Sequence, residues 1–462
     1  MKKTVVINIA GLTPELIGEE TPGLKKFAAD GALAGIETIV PAVTCSVQST
    51  FLTGQLPSQH GIVGNGWYGR DDGEIKFWRQ SNKLIQGPKI WDMAKSRHPK
   101  FTCANLFWWY NMHSRVDYGI TPRPMYPADG RKIPDIYTKP LEIRFPIQAD
   151  LGPFPLFDFW GPKTSIASSR WIAQSAQWID KKFNPALTLI YLPHLDYCLQ
   201  RWGPTLPKIK SDLNEIDGVI ANLVNFYDKQ GVQIIMLSEY GITHTPNPVH
   251  INRVLRQAGL LKVREELGLE ILDTSASSAF AVVDHQVAHI YIADLSQKEE
   301  VRNIVSGIAG IEFLWDDDEK EKHGMNHPRA GDLIAVADKN SWFTYYYWLD
   351  DRKAPDFART VDIHRKPGYD PAELFFDPKI RFPSLKVGYR LAQKILGFRC
   401  LMDIVPLDAA LVRGSHGRVN ERGEQSPVFI SNNRGIITTD KIQATDVCRL
   451  ILKHLDLEIP CR

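Results

Sequence analysis

Long apolar runs are missing from this sequence. No stretch approaches about 18 consecutive apolar residues, which argues against a membrane-spanning helix. Charge of one sign is missing too. Lys and Arg number 55 against 53 Asp and Glu, and they are spread along the chain. A nucleic-acid polymer or a membrane surface would need a basic patch, so neither is expected as a partner. Cysteine is scarce: the six residues Cys45, Cys103, Cys198, Cys400, Cys448 and Cys461 are far apart and form no CxxC or CxxH pair. That spacing argues against a disulfide framework or a structural zinc site and points to reduced thiols in the cytoplasm. Internal repeats and low-complexity tracts are absent. The opening "MKKTVVINIAGL" carries two lysines like a signal peptide, but its apolar run is too short and lacks a cleavage site. It reads as a buried strand.

What is present is the composition of a globular protein, with 44% hydrophobic and 23% charged residues over 462 positions. Short apolar runs alternate with helical patterns. "TVVINIAG", "ALAGIETIV", "FTCANLFWW", "LTLIYLPHLD" and "VQIIMLSEYG" read as buried parallel strands. "PELIGEETPGLKKFAADG", "SSRWIAQSAQWIDKKF" and "SDLNEIDGVIANLVNFYDKQG" read as helices, the last stopped at Gly231. The fold class is therefore α/β, a mostly parallel central sheet with helices on both faces. One domain over 1–462 is expected, with cap-like insertions at 121–163, dense in Pro and aromatics, and at 343–400, which includes an amphipathic helix. In an open α/β sheet the site lies at the C-terminal strand ends.

A Thr-Cys-Ser triplet, Thr44 to Ser46, follows one strand and opens "VQSTFLTG", which reads as a helix. A hydroxyl at such a junction is a candidate nucleophile. The thiol of Cys45 has no His near in sequence to lower its pKa and reads as inert. His60 in "SQHGI" reads as a turn residue.

The segments "PAVTCSVQSTFLTGQLPSQHGIVGN", "GPKIWDMA", "LIYLPHLDYCLQRWGP", "IIMLSEYGI", "RAGDLIAVADKNSWF" and "RGSHG" together resemble the alkaline phosphatase superfamily, in its nucleotide pyrophosphatase/phosphodiesterase branch. The resemblance implies the fold already read, Thr44 as nucleophile, and a two-zinc centre. One ion would be held by Asp196, by the position of Gln200 and by His416. The other would be held by the position of Ala10, by Thr44, and by an Asp-His pair that stands here as Glu239-Tyr240.

An amide oxygen is a poor zinc ligand, and Ala10 and Tyr240 offer none of the expected donors. A two-zinc centre is therefore not expected; one divalent ion, zinc or manganese, or none, is. Asp196 and His416 are its candidate ligands. Asp362 and His364 in "VDIHRKPGYDP" form either a further ligand pair or a capped turn. For Asp284, His285 and His289 in "VVDHQVAHIYIAD" the preferred reading is a strand with surface polar residues. Asn65, Trp67, Gln200, Arg365 and Lys366 are candidate substrate contacts. Trp108, Trp109 and Tyr110 are either core or a stacking platform, and His194 and Tyr197 are candidates by position.

Three functions remain open. The first is hydrolysis, or phosphoryl or nucleotidyl transfer, at a phosphodiester or small phosphorylated metabolite, with Thr44 attacking. The second is a ligand-binding pseudoenzyme on the same scaffold. The third is altered chemistry with Glu239 and Tyr240 as acid/base groups and one metal or none.

Overall fold

The computed structural model describes residues 1–362, 365–419 and 425–457. Its centre is a nine-stranded sheet. Thr4–Ile9, buried throughout, lies in the middle, paired in parallel with Leu187–Leu192 on one side and Gln233–Leu237 on the other. Such a strand meets no water on either face, and Val-Val-Ile-Asn-Ile has the composition that this requires. Cys103–Leu106 and Tyr118–Pro122 extend the parallel run, and Ile136–Lys139 closes that edge antiparallel. On the other flank Val428–Ser431 enters antiparallel between Gln233–Leu237 and Ala32–Glu37, with Lys441–Gln443 outermost. All five strands expected from the sequence are present, in a mostly parallel sheet.

Two helix groups cover the sheet. Ile166–Phe183, His194–Trp202 and Leu206–Asp228 pack on one another, and Thr44–Thr53 packs against Asp446–His454. Helix Ile166–Phe183 buries Trp171, Ile172, Ser175 and Ile179 at helical spacing, which fixes the face it turns inward. After Leu206–Asp228 the chain turns through Gly231 at φ +65°, the left-handed conformation that glycine adopts at little cost.

A second hydrophobic core forms around a four-stranded antiparallel sheet, ordered Ala279–Asp284, Val287–Ile292, Leu333–Ala337, Ile311–Trp315. The run "FTYYYWLDD" fills it, with Phe343, Tyr345, Tyr346, Tyr347 and Trp348 all buried. Here the structure corrects one reading. Asp284, His285 and His289 are not surface residues; each is at most 2% exposed. Their strands form a hairpin that turns at His285 and Gln286; Asn65 binds Asp284, His416 and Tyr369 pack on His285, and Val63 and Gly331 engage His289. The 121–163 segment supplies the edge strand Ile136–Lys139 and the helix Arg144–Leu151. The amphipathic helix within 343–400 is Pro383–Ile395, which has no buried residue.

No helix among the described residues is long and apolar enough to cross a membrane.

Candidate functional site

Thr44 is the first residue of the helix Thr44–Thr53, which follows extended Val43 and ends at Gly54 in the left-handed conformation. Its Oγ1 lies 3.0 Å from the Tyr240 hydroxyl. That hydroxyl donates in turn to Asp196 Oδ1 at 3.1 Å, so Thr44, Tyr240 and Asp196 form one chain of hydrogen bonds. The three come from different places in the fold. Tyr240 follows the strand Gln233–Leu237, and Asp196 sits in the first turn of His194–Trp202, just past the strand Leu187–Leu192. Both strands flank Thr4–Ile9, so their C-terminal ends meet at one point.

Gln200, one turn after Asp196, donates its Nε2 to Asp196 Oδ2 at 2.6 Å. Both carboxylate oxygens thus accept from protein donors. Burial still dominates, and it pushes the Asp196 pKa up to about 7, against the pull of Tyr240 and Gln200. His416 stacks flat on Tyr240, with ring centroids 3.6 Å apart and planes at 4°. Its Nδ1 lies 2.7 Å from the Ala42 carbonyl, and its Nε2 is 3.9 Å from Asp196 Oδ1. Burial lowers its pKa to about 3, so it is neutral near pH 7. His285 packs on the far face of His416 and on Tyr369, and burial lowers its pKa well below the usual value.

Glu239 lies apart from this chain. Its Oε1 accepts from Asn8 Nδ2 at 2.9 Å and from Gln48 Nε2 at 2.5 Å, and it is fully buried. Burial raises its pKa to about 8, with Gln48 and Asn8 opposing. Gln48 also accepts from the Trp109 backbone N–H at 2.7 Å, which fixes the orientation of its amide.

Thr44, Asp196, Tyr240, His285 and His416 open onto a cavity of about 980 Å³. Its wall is rich in aromatics, among them Trp78, Trp109, Trp160, Tyr191, Tyr197 and Tyr369. Arg131, Lys132, Lys163, Arg365 and Lys394 supply its positive charge. Residues of both 121–163 and 343–400 line it, and from the helix Pro383–Ile395 they include Leu391 and Lys394.

Several expected contacts lie elsewhere. Asn65 does not line the cavity: its Oδ1 accepts from the Cys45 N–H, and its own N–H and Nδ2 donate to Asp284. Trp67 belongs to the second core, with the Arg329 guanidinium 4.9 Å from its ring. Lys366 is buried against Glu373 at 2.7 Å and Asp370 at 3.9 Å, so its charge is spent inside the protein. Arg365 does reach the cavity, near Asp356 at 3.5 Å and Asp362 at 3.8 Å. Asp362 lines the cavity as well, while His364 lies outside the described residues. His60 has both ring nitrogens engaged, by Thr50 and the Ile62 N–H, as a structural residue would. The Cys45 thiol is buried and its pKa is raised well above the usual value, first by burial. Trp108 is core, Trp109 and Tyr197 line the cavity, and His194 does not.

The donors around Thr44 do not make up two metal sites. At the second position Ala10 offers no donor and Tyr240 stands where a histidine would, which leaves Thr44 and Glu239; two carboxamides occupy Glu239 Oε1, while its Oε2 makes no hydrogen bond. At the first, the Asp196 oxygens are hydrogen-bonded and Gln200 turns its amide nitrogen inward. Among the described residues, no three His, Cys, Asp or Glu donors gather within 4.8 Å around Thr44. A two-zinc centre does not fit. Hydrogen-bond donors and neutral groups stand where cations would balance the charge.

Trp160 is the cavity residue that the sequence does not single out; it lies in an aromatic-rich segment with no periodicity to set it apart. Tyr369 is legible beside Arg365 and Lys366 as a candidate anion contact, and His285 as a titratable group whose preferred reading is a surface position.

Comparison with known proteins agrees with this architecture. Murine ectonucleotide pyrophosphatase/phosphodiesterase 5 shares the fold at TM-score 0.61 and 13% identity, covering 99% of this chain and 96% of that one. An inactive variant of it in complex with AMP aligns at TM-score 0.60 and 13% identity, over 100% and 96% of the two chains. Phosphonoacetate hydrolase from Sinorhizobium meliloti 1021, in complex with phosphonoformate, aligns at TM-score 0.61 and 16% identity over 98% and 96%. In sequence, an uncharacterized pyrophosphatase/phosphodiesterase of Schizosaccharomyces pombe is 25% identical over 216 residues, 44% of this chain and 37% of that relative. The profile of type I phosphodiesterase / nucleotide pyrophosphatase matches residues 4–370, and the chain belongs to that family.

Proposed function

We propose that this protein hydrolyses, or transfers a group from, a small phosphoester, with Thr44 as nucleophile and the Tyr240–Asp196 pair as its proton acceptor. The observation that carries this reading is the unbroken chain Thr44 Oγ1, Tyr240 hydroxyl, Asp196 Oδ1, open to the cavity. As Thr44 Oγ1 bonds to phosphorus, its proton passes to the Tyr240 oxygen and the Tyr240 proton passes to Asp196. The ester P–O bond breaks, and the leaving alkoxide takes a proton from solvent. Water then cleaves the threonine ester, or a second alcohol takes the group. An Asp196 pKa of about 7 suits a base working near neutrality. Arg365 and Lys132 offset charge on the phosphate, and the aromatic wall suits a substrate with an apolar or planar group. No step passes through a metal, because the donor sets do not fit the two-ion centre. The chain acts as one unit, in which the segments 121–163 and 343–400 form the outer wall of the cavity. Buried, unbridged Cys45, Cys103 and Cys198 support a cytoplasmic location.

A second reading, a ligand-binding protein without turnover, is favoured by one observation. Both histidines beside Thr44 are neutral, so no formal positive charge sits next to the nucleophile. A brief reaction with a panel of phosphodiesters, followed by peptide mass spectrometry, separates the two. A phosphoryl or nucleotidyl adduct on Thr44 supports the first reading. Tight binding of a phosphorylated ligand with neither adduct nor turnover supports the second.

A further inference from the structure

We infer that His194, Asp212 and Glu215 form a zinc-class divalent cation site that clamps the helix His194–Trp202 onto the helix Leu206–Asp228. The Nε2 of His194 lies 3.3 Å from Asp212 Oδ1 and 3.7 Å from Glu215 Oε2, and the donor atoms all fall within 4.8 Å of one another. Zinc bonds of about 2.0–2.2 Å, arranged tetrahedrally, place neighbouring ligand atoms about 3.3–3.6 Å apart. The cluster is already close to that spacing.

A pair of carboxylates beside a histidine is common on protein surfaces. What sets this group apart is the state of His194. It is 2% exposed, and neither ring nitrogen makes a well-formed hydrogen bond. A buried imidazole that lies near Asp212, Glu215 and the Ser165 backbone, without a well-formed bond to any of them, keeps part of its desolvation cost, which a ligated cation would relieve. A neutral imidazole there has a lone pair to give a cation. Asp212 and Glu215 stand three residues apart on one helix and so project from the same face. Arg201 and Arg170 are the positive groups near His194, and the Arg201 guanidinium donates to the Leu374 and Gly161 carbonyls and to Thr164. Three protein donors leave a fourth position, towards the partly exposed Glu215, for water.

The site is separate from the Thr44 cavity, which His194 does not line. Its consequence for that cavity is mechanical, because His194 opens the helix that carries Asp196 and Gln200. The inference does not depend on the proposed function.

The test is calorimetric titration of the metal-stripped full chain with Zn2+, using wild type, Asp212→Asn, Glu215→Gln and Asp196→Asn. One ion per chain is expected in wild type, bound at least roughly tenfold more weakly in each of the first two variants and unchanged in Asp196→Asn. Zn2+ should raise the melting temperature of wild type and not of the two helix variants. Both substitutions preserve size, Asp212→Asn at a partly buried position and Glu215→Gln at an exposed one, so folding is retained. Absence of zinc binding would overturn the inference. So would equal binding by wild type and both helix variants, loss in only one of them, or loss in Asp196→Asn alone.

Discussion

The phenol ring of Tyr240 lies flat on the imidazole of His416, 3.6 Å away and 4° from parallel. The contact places the Tyr240 hydroxyl between Thr44 and Asp196. The hydroxyl so placed donates to Asp196 Oδ1, and Gln200 donates to Oδ2, so both oxygens that a cation would need already accept hydrogen bonds.

The Tyr240 hydroxyl gives the sharpest test of the relay. Tyr240→Phe keeps the stacked ring and removes only the bridging oxygen. Turnover of a phosphodiester should fall by about 10²–10⁴-fold, the usual worth of a general acid–base group. Ligand affinity should change little. Unchanged turnover would remove Tyr240 from the proton path.

Thr44→Ala should abolish turnover while lowering the melting temperature by only a few degrees. The hydroxyl contributes one hydrogen bond of roughly 0.5–1.5 kcal/mol, and its loss leaves a small gap. Differential scanning fluorimetry beside the activity assay reads both quantities. Activity retained in this variant would pass the nucleophile's role to another group.

Asn65→Ala should cost more stability than Thr44→Ala, although Asn65 touches no cavity. Asp284 loses its side-chain donor and the Cys45 N–H loses its acceptor, and each orphaned buried group costs roughly 1–3 kcal/mol. Urea unfolding of the two variants tests the order; equal midpoints would contradict it.

Stability should fall as pH rises from about 6.5 to 9. The folded-state pKa of Glu239 is about 8 and that of Asp196 about 7, both above their unfolded values. Between the unfolded and folded values the native state binds more protons, so unfolding becomes easier as pH increases. His285 and His416 are shifted the other way and add stability as pH rises from their depressed folded values towards the unfolded histidine value of about 6.5, above which their contribution levels off. Glu239→Gln should therefore flatten the decline of melting temperature above neutrality. An equally steep decline in the variant would show that Glu239 is ionised in the native state.

A donor can also be returned to the site. Gln200→His places an imidazole one turn from Asp196 and opposite His416, restoring three donors of the first metal set. Zinc retained after dialysis should rise by one equivalent per chain relative to wild type. No added zinc would mean that the Tyr240 bridge holds Asp196 against the ion.

The sequence by itself determined the central sheet, because a strand buried on both faces must be an almost unbroken apolar run, and Thr4–Ile9, Leu187–Leu192 and Gln233–Leu237 are such runs. It also determined Thr44 at a strand-to-helix junction and the loss of donors at Ala10, Gln200 and Tyr240, since those are matters of residue identity at fixed places in a motif. Only the tertiary structure decided where the remaining side chains point. Glu239 and Tyr240 are adjacent in sequence, yet one turns to Asn8 and Gln48 and the other to Thr44, a difference no local pattern encodes. Lys366 and Arg365 are likewise adjacent, and one is neutralised inside the protein while the other faces the cavity. His285 reaches the site from 130 residues before its partner Ser415, carried there by a hairpin of the second sheet. Burial and charge pairing depend on contacts between distant segments, and those are set by packing rather than by neighbouring residues.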